Sequence, residues 1–147
     1  MSQYERVIKL IVDLINNPEV TNYRISKETG IHAPFLLKIK KKEVDIGNMR
    51  FENVMKLYEF QHLVNGKPKR EIPKYHTMEK KIIELLHDEK VTNYRVAEDL
   101  GLHAVLLSNF KIGKIKIGHM YFKHAFMLYD YKTKLDRKRK RERELED

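Results

Sequence analysis

The residues VTNYR occupy positions 20–24 and recur unchanged at 91–95. At that 71-residue offset, VTNYRISKETGIHAPFLLKIKKKEVDIGNMRFENVMKLYEF (20–60) aligns without a gap to VTNYRVAEDLGLHAVLLSNFKIGKIKIGHMYFKHAFMLYDY (91–131). The two stretches share about sixteen of forty-one residues, the mark of an internal duplication. What both copies keep is therefore the first place to look for function.

Working outward from the pentapeptide, helical spacing dominates. Upstream, Val7, Ile8, Leu10, Ile11, Val12, Leu14 and Ile15 form a broad apolar face that Pro18 should end. Met78, Ile82, Ile83, Leu85 and Leu86 repeat that face. Thr21 and Thr92 are good N-caps, and the valine before each can staple onto Ile25 or Val96. A short helix should run from each to Gly30 or Gly101, where glycine suits a left-handed stop. A third helix is expected over roughly 32–42 and 103–112. After a loop through Gly47 or Gly118, Phe51, Val54, Met55 and Tyr58 space a fourth helix, as do Phe122, Ala125, Phe126 and Tyr129. The proline-containing, charged stretch GKPKREIPKYHT (66–77) reads as a linker. The expected fold class is all-α, in two tandem units of about four helices. Its divisions are 1–62, a linker 63–77, a second unit 78–132, and a charged C-terminal extension 133–147.

Composition narrows the function. The 147 residues carry a net charge of +9, of which residues 132–147 supply +3, leaving +6 for the rest. That excess favours a polyanionic partner, nucleic acid ahead of an anionic membrane. Cysteine is absent, so disulfides and thiolate chemistry are excluded, in keeping with a reducing cytoplasmic setting. No apolar run approaches a membrane span, and the start MSQYERV lacks a signal-peptide pattern. No P-loop, GxGxxG or GxSxG is present, and His119 and His124 lack metal-site spacing. An enzyme, a cofactor and a metal centre are not expected.

The stretch Ile25-Ser26, Gly30-Ile31, Leu36 and Ile39, repeated as Val96-Ala97, Gly101-Leu102, Leu107 and Phe110, resembles the helix-turn-helix of the phage repressor and Cro (XRE-type) family. The residue types make sense physically. A small residue lets two helices approach, glycine makes the turn, and the apolar positions seat the second helix on the first. The resemblance covers about 55 residues of each copy and implies a bacterial or phage DNA-binding regulator, a repressor above all.

In such proteins the start of the first motif helix faces the phosphate backbone, and the second helix enters the major groove. By position, Thr21, Asn22, Tyr23 and Arg24, with Thr92, Asn93, Tyr94 and Arg95, would contact phosphates without reading sequence. Lys40, Lys41, Lys42, Lys111 and Lys114 would join them. Base edges would meet His32, Ala33, Pro34, Leu37 and Lys38 in copy one, and His103, Ala104, Val105, Ser108 and Asn109 in copy two. The second copy is the better equipped reader, since Ser108 and Asn109 can hydrogen-bond base edges whereas Pro34 and Leu37 offer only apolar contact. Two related but unequal half-sites on double-stranded DNA follow, read by a monomer acting as a pseudo-dimer or by a homodimer.

Each feature has a plainer reading. VTNYR can be a good helix start alone, His32 and His103 can be weak N-caps, and KIKKKE (38–43) can be a solvated helix face. The tail KLDRKRKRERELED can be a helix extension laced with Arg–Glu pairs or a basic arm on DNA. A second functional class also stays open. The apolar run Ala33-Pro34-Phe35-Leu36-Leu37 fits a protein-binding module on the same scaffold, such as an antitoxin or a mobile-element inhibitor of a host nuclease, with its partner on the face around Phe35 and Leu37.

Overall fold

The computed structural model describes residues 1–68 and 71–146; Lys69 and Arg70 of the expected linker and Asp147 of the expected extension lie outside the described residues. The described residues form eight α-helices and no strand. Among the described residues no helix is long and apolar enough to cross a membrane. The chain divides into two compact units: residues 1–74 with 118–123, and residues 75–117 with 124–147.

In the first unit, α1 (Gln3–Ile15) begins at Ser2, whose hydroxyl accepts the Glu5 N–H at 3.1 Å. Val7, Ile11, Leu14 and Ile15 are buried, whereas Val12 of the expected apolar face is exposed. The helix stops before Pro18, with the Asn16 N–H closing onto Val12 O. α2 (Asn22–Thr29), α3 (Ala33–Lys40) and α4 (Phe51–Asn65) follow, with α1 packed on α3 and α4, and α2 on the same two. Ile25, Leu36, Phe51, Val54 and Leu57 are fully enclosed. Truncating a buried leucine such as Leu36 to alanine costs about 2–5 kcal/mol.

A single antiparallel bridge also belongs to this unit. The Phe51 N–H donates to Met120 O at 2.7 Å and the Phe122 N–H to Met49 O at 2.8 Å, with Arg50 opposite Tyr121. Arg50 and Tyr121, at the centre of the bridge, are repeat counterparts 71 positions apart. Phe122 stacks on Tyr4 at 5.5 Å. Gly47 lies beneath the Tyr4 hydroxyl, where a β-carbon would collide with it. Ile72 of the expected linker is buried, and its N–H donates to the Tyr58 hydroxyl at 3.2 Å.

The second unit holds α5 (Tyr75–Leu86), α6 (Asn93–Leu100), α7 (Ala104–Lys111) and most of α8 (Phe122–Glu146). α7 packs on α5 and α6. Met78, Ile82, Leu85 and Leu86 are buried and Ile83 is not, a narrower face than the sequence pattern implies.

Two expectations need correction. The third helix is expected over roughly 32–42 and 103–112; α7 ends at Lys111, within a residue of that, but α3 stops at Lys40. Beyond them the chain turns sharply: Lys42 N–H donates to Ile39 O (3.0 Å) and Glu43 N–H to Lys38 O (2.9 Å). In copy two, Gly113 donates to Phe110 O (3.2 Å) and Lys114 to Asn109 O (3.0 Å). This is the Schellman closure, which needs a left-handed residue at its centre. Gly113 supplies it at φ 79°, while Lys42 adopts it at φ 60°. Lys41 and Lys42 are thus turn residues and not part of a helix face.

The tail differs too. It is helical through Glu146, but no Arg–Glu ion pair forms among its described residues. Aspartates take the cations instead. Asp136 accepts from Lys81 (2.8 Å) and Lys132 (2.9 Å), and Arg139 grips Asp88 at 2.5 and 3.2 Å. These ties fix α8 to α5 and the loop after it.

Candidate nucleic-acid interface

The repeated pentapeptide starts α2 and α6. Thr21 Oγ1 accepts the Arg24 N–H and Thr92 Oγ1 the Arg95 N–H, both at 3.1 Å. That caps one of the unpaired donors of each helix start and leaves the N–H groups of Asn22, Tyr23, Asn93 and Tyr94 without an intrahelical acceptor. Each threonine hydroxyl still has its own proton to donate. Val20 is buried and Val91 half-buried, as a staple requires. Tyr23 and Tyr94 are 73% and 70% exposed, which neither capping nor packing explains.

The arginines are engaged within the protein. Arg24 lies over the Phe60 ring at 5.6 Å. Arg95 Nε reaches both Asp99 oxygens at 3.2 and 3.3 Å, and Tyr131 donates to Asp99 at 2.7 Å. The Tyr131 hydrogen bond, joined by Arg95, holds the Asp99 carboxyl below its ordinary range, while burial and then Asp99 push the Tyr131 phenol up. Phe60 and Tyr131 are counterparts in the two repeats, so one ring position serves both arginines in different ways. Sequence reading missed this set, although Arg95 and Asp99 at i, i+4 are a visible signal.

α2 and α6 end at glycines in the left-handed conformation, Gly30 at φ 77° and Gly101 at φ 70°. The closures differ. In copy two the Leu102 N–H reaches back to Ala97 O at 2.8 Å, whereas in copy one buried Thr29 accepts the Ile31 N–H at 3.2 Å and donates to Ile25 O at 2.6 Å. The next helices then start at once. His32 and His103 occupy their N-cap positions, but neither imidazole makes a capping bond and both are exposed. Ala33 and Ala104 are half-buried.

Leu36 and Ile39 of α3, and Leu107 and Phe110 of α7, point into the core. At 3.6 residues per turn, the opposite arc of α3 carries Pro34, Leu37 and Lys38. The corresponding arc of α7 carries Val105, Ser108, Asn109 and Ile112. Leu37 is 43% exposed, and Val105 and Ile112 are each 72% exposed. Phe35 and Asn109 are half-buried, while Ser108, Lys40, Lys42, Lys111 and Lys114 are exposed. The outward arcs are therefore mixed, with cations and small polar groups among large aliphatic side chains. Ile112 escapes sequence reading because it falls at the very end of the helix expected over 103–112, where helix bounds are least certain.

No known protein family, characterised protein or solved structure matches the chain.

Proposed function

We propose that the chain is a sequence-specific double-stranded DNA-binding protein, acting as a transcriptional repressor, in which two tandem helix-turn-helix units read two half-sites. The observation that carries this reading is repeated. In each copy a threonine-capped helix bearing an exposed tyrosine ends at a left-handed glycine and is followed at once by a second helix with an exposed histidine at its start. Phosphates are met at the start of the first helix and base edges by the outward arc of the second. A net charge of +9 supplies the long-range attraction. Joining two readers in one chain replaces dimer association by an intramolecular step.

Titration against random duplexes at two salt concentrations, followed by site selection from a random library, tests the proposal. A steep salt dependence with a selected pair of unequal half-sites is expected. Weak, salt-insensitive binding with no selected sequence would sink it. The exposed Val105 and Ile112 in one copy, and Leu37 and Pro34 in the other, favour a second reading in which these arcs grip a protein. Under that reading Val105→Lys leaves duplex binding unchanged and abolishes partner capture.

A further inference from the structure

We propose that the free face of the C-terminal helix α8 is a separate phosphate-backbone clamp for duplex nucleic acid. The inference extends the DNA-binding reading but does not depend on the base-reading assignments. Its starting point is the sorting of charge around α8. The cations that face the unit are consumed by aspartates: Lys132 by Asp136, and Arg139 by Asp88. Lys134 is paired with Asp130 at 2.9 Å. Arg137, Lys138, Lys140 and Arg141, and Arg143 on the other side, have no carboxylate within ion-pairing distance among the described residues.

At about 100° per residue, Lys134, Arg137, Lys138 and Arg141 share one arc of the helix, roughly opposite Arg143. The β-carbons of neighbouring positions on this arc lie about 5–6 Å apart. Lys134, Arg137, Lys140, Arg141 and Glu144 line an open groove of about 480 Å³ along it. The stripe is also held in place. The bonds from Lys81 to Asp136 and from Arg139 to Asp88 fix the helix just where the unpaired cations begin, so they are presented by a rigid rod and not by a loose arm.

A phosphate backbone suits this stripe better than a lipid surface does. An interfacial helix needs a broad apolar face opposite its cations. Beyond Asp136, Leu145 is the one large apolar side chain exposed, at 86%. Unpaired guanidinium and ammonium groups on a rigid helix instead match a row of phosphates, where each contact displaces condensed counterions.

The test compares the full chain with an Arg137→Ala, Lys138→Ala, Arg141→Ala triple variant, an Arg143→Ala variant, and a Val105→Ala, Ser108→Ala variant of the α7 arc. Binding to a random 25-base-pair duplex is titrated at several salt concentrations, with circular dichroism melts confirming unchanged folding. Alanine keeps the exposed helix, and an Arg137→Lys, Arg141→Lys variant retains the point charges. The stripe triple should lower the salt slope by about 2.7 units and weaken binding on the order of 100-fold at 0.15 M salt. The Arg143 and lysine-exchange variants should stay near the parent.

If the α7-arc variant leaves selected-site binding intact while the stripe triple weakens duplex binding, the clamp stands and the base-reading assignment falls. A stripe triple that binds duplex like the parent overturns the clamp, whatever the α7-arc variant does. Tighter binding to vesicles rich in phosphatidylserine than to duplex, lost in the triple variant, also overturns it in favour of a lipid surface.

Discussion

Replacing Lys42 by glycine should make this protein more stable and, on the proposed DNA-binding reading, weaken duplex binding. Lys42 sits at φ 60° in the turn that closes α3, and its repeat counterpart Gly113 fills the same position at φ 79°. A left-handed conformation costs an L-residue about 1–2 kcal/mol. Glycine escapes that cost but loses about 0.5–1 kcal/mol more chain entropy on folding. The net gain for Lys42→Gly is then about 0.5–1 kcal/mol. The reverse change, Gly113→Lys, should lose a similar amount, because a β-carbon at Gly113 meets nothing within 4 Å and only the backbone conformation resists it. Urea unfolding of both variants is the assay. With a slope of about 1.5 kcal/mol per molar, the midpoints should move by about 0.3–0.7 M in opposite directions at unchanged slope. A lower midpoint for Lys42→Gly, or no change for Gly113→Lys, would refute the conformational reasoning. Strained residues persist where function holds them. Lys42→Gly should accordingly reduce the salt slope of duplex binding by about 0.9, the loss of one phosphate contact.

Gly47→Ala should destabilise the first unit by about 1–3 kcal/mol, because its β-carbon would collide with the Tyr4 hydroxyl and the stacked Tyr4–Phe122 rings leave that hydroxyl little room. Removing the hydroxyl with Tyr4→Phe in the same chain should recover much of that loss in thermal melts, and a purely additive pair would contradict the collision. The hydrogen bond from Arg139 holds Asp88 down to about 2. The stability it contributes is therefore fully present above the ordinary carboxyl value near 3.8 and is lost as pH falls through about 2. Asp88→Asn should cost about 1–2 kcal/mol at pH 7, discounted for the partly exposed Arg139, and should shrink the loss between pH 4 and 2 in urea melts. Arg24→Ala and Arg95→Ala should each lower the salt slope by about 0.9 on any duplex, whereas His103→Ala should cost about 1–3 kcal/mol on a selected site and little on random DNA. Equal behaviour of the arginine and histidine variants in gel-shift titrations would contradict the division into positioning and reading.

The helical class and the paired helices were legible because their signals are local and duplicated. Thr21 and Thr92 announce helix starts, Gly30 and Gly101 announce left-handed stops, and Leu36, Ile39, Leu107 and Phe110 fall on the inward face that spacing assigns to them. What stayed hidden depends on distant residues or on local closure. Nothing in the spacing says that Asp88 waits for Arg139, 51 positions later, or that Tyr131 steadies Asp99 from 32 positions away. The end of α3 was misplaced because KIKKKE has good helix propensity throughout and lacks the glycine that marks the same turn in copy two. Of the candidate site, exposure of Tyr23, Tyr94, His32 and His103 followed from position alone, while the aliphatic character of the α7 arc needed the structure to show which way Ile112 faces.

The two copies diverge in a pattern that separates scaffold from surface. Positions that make a capped start or a core contact are kept or exchanged conservatively: Ile25 for Val96, Ile39 for Phe110. Around the arginine of the pentapeptide, the copies keep the guanidinium and change what holds it. Phe60 offers only a ring face, so Arg24 keeps all its donors, whereas Asp99 occupies the Nε of Arg95 and Tyr131 braces the carboxylate. The terminal nitrogens of Arg95 remain to meet a phosphate, with the side chain 70% exposed but tethered. A tethered arginine loses less freedom on binding than a free one, since part of its ordering is already done in the unbound protein. On the proposed DNA-binding reading, copy two would offer a pre-ordered phosphate contact beside the arc that carries Ser108 and Asn109, and copy one a looser one beside Pro34 and Leu37. The same half of the chain is better equipped both to position itself on a duplex and to read it, which is what unequal half-sites require.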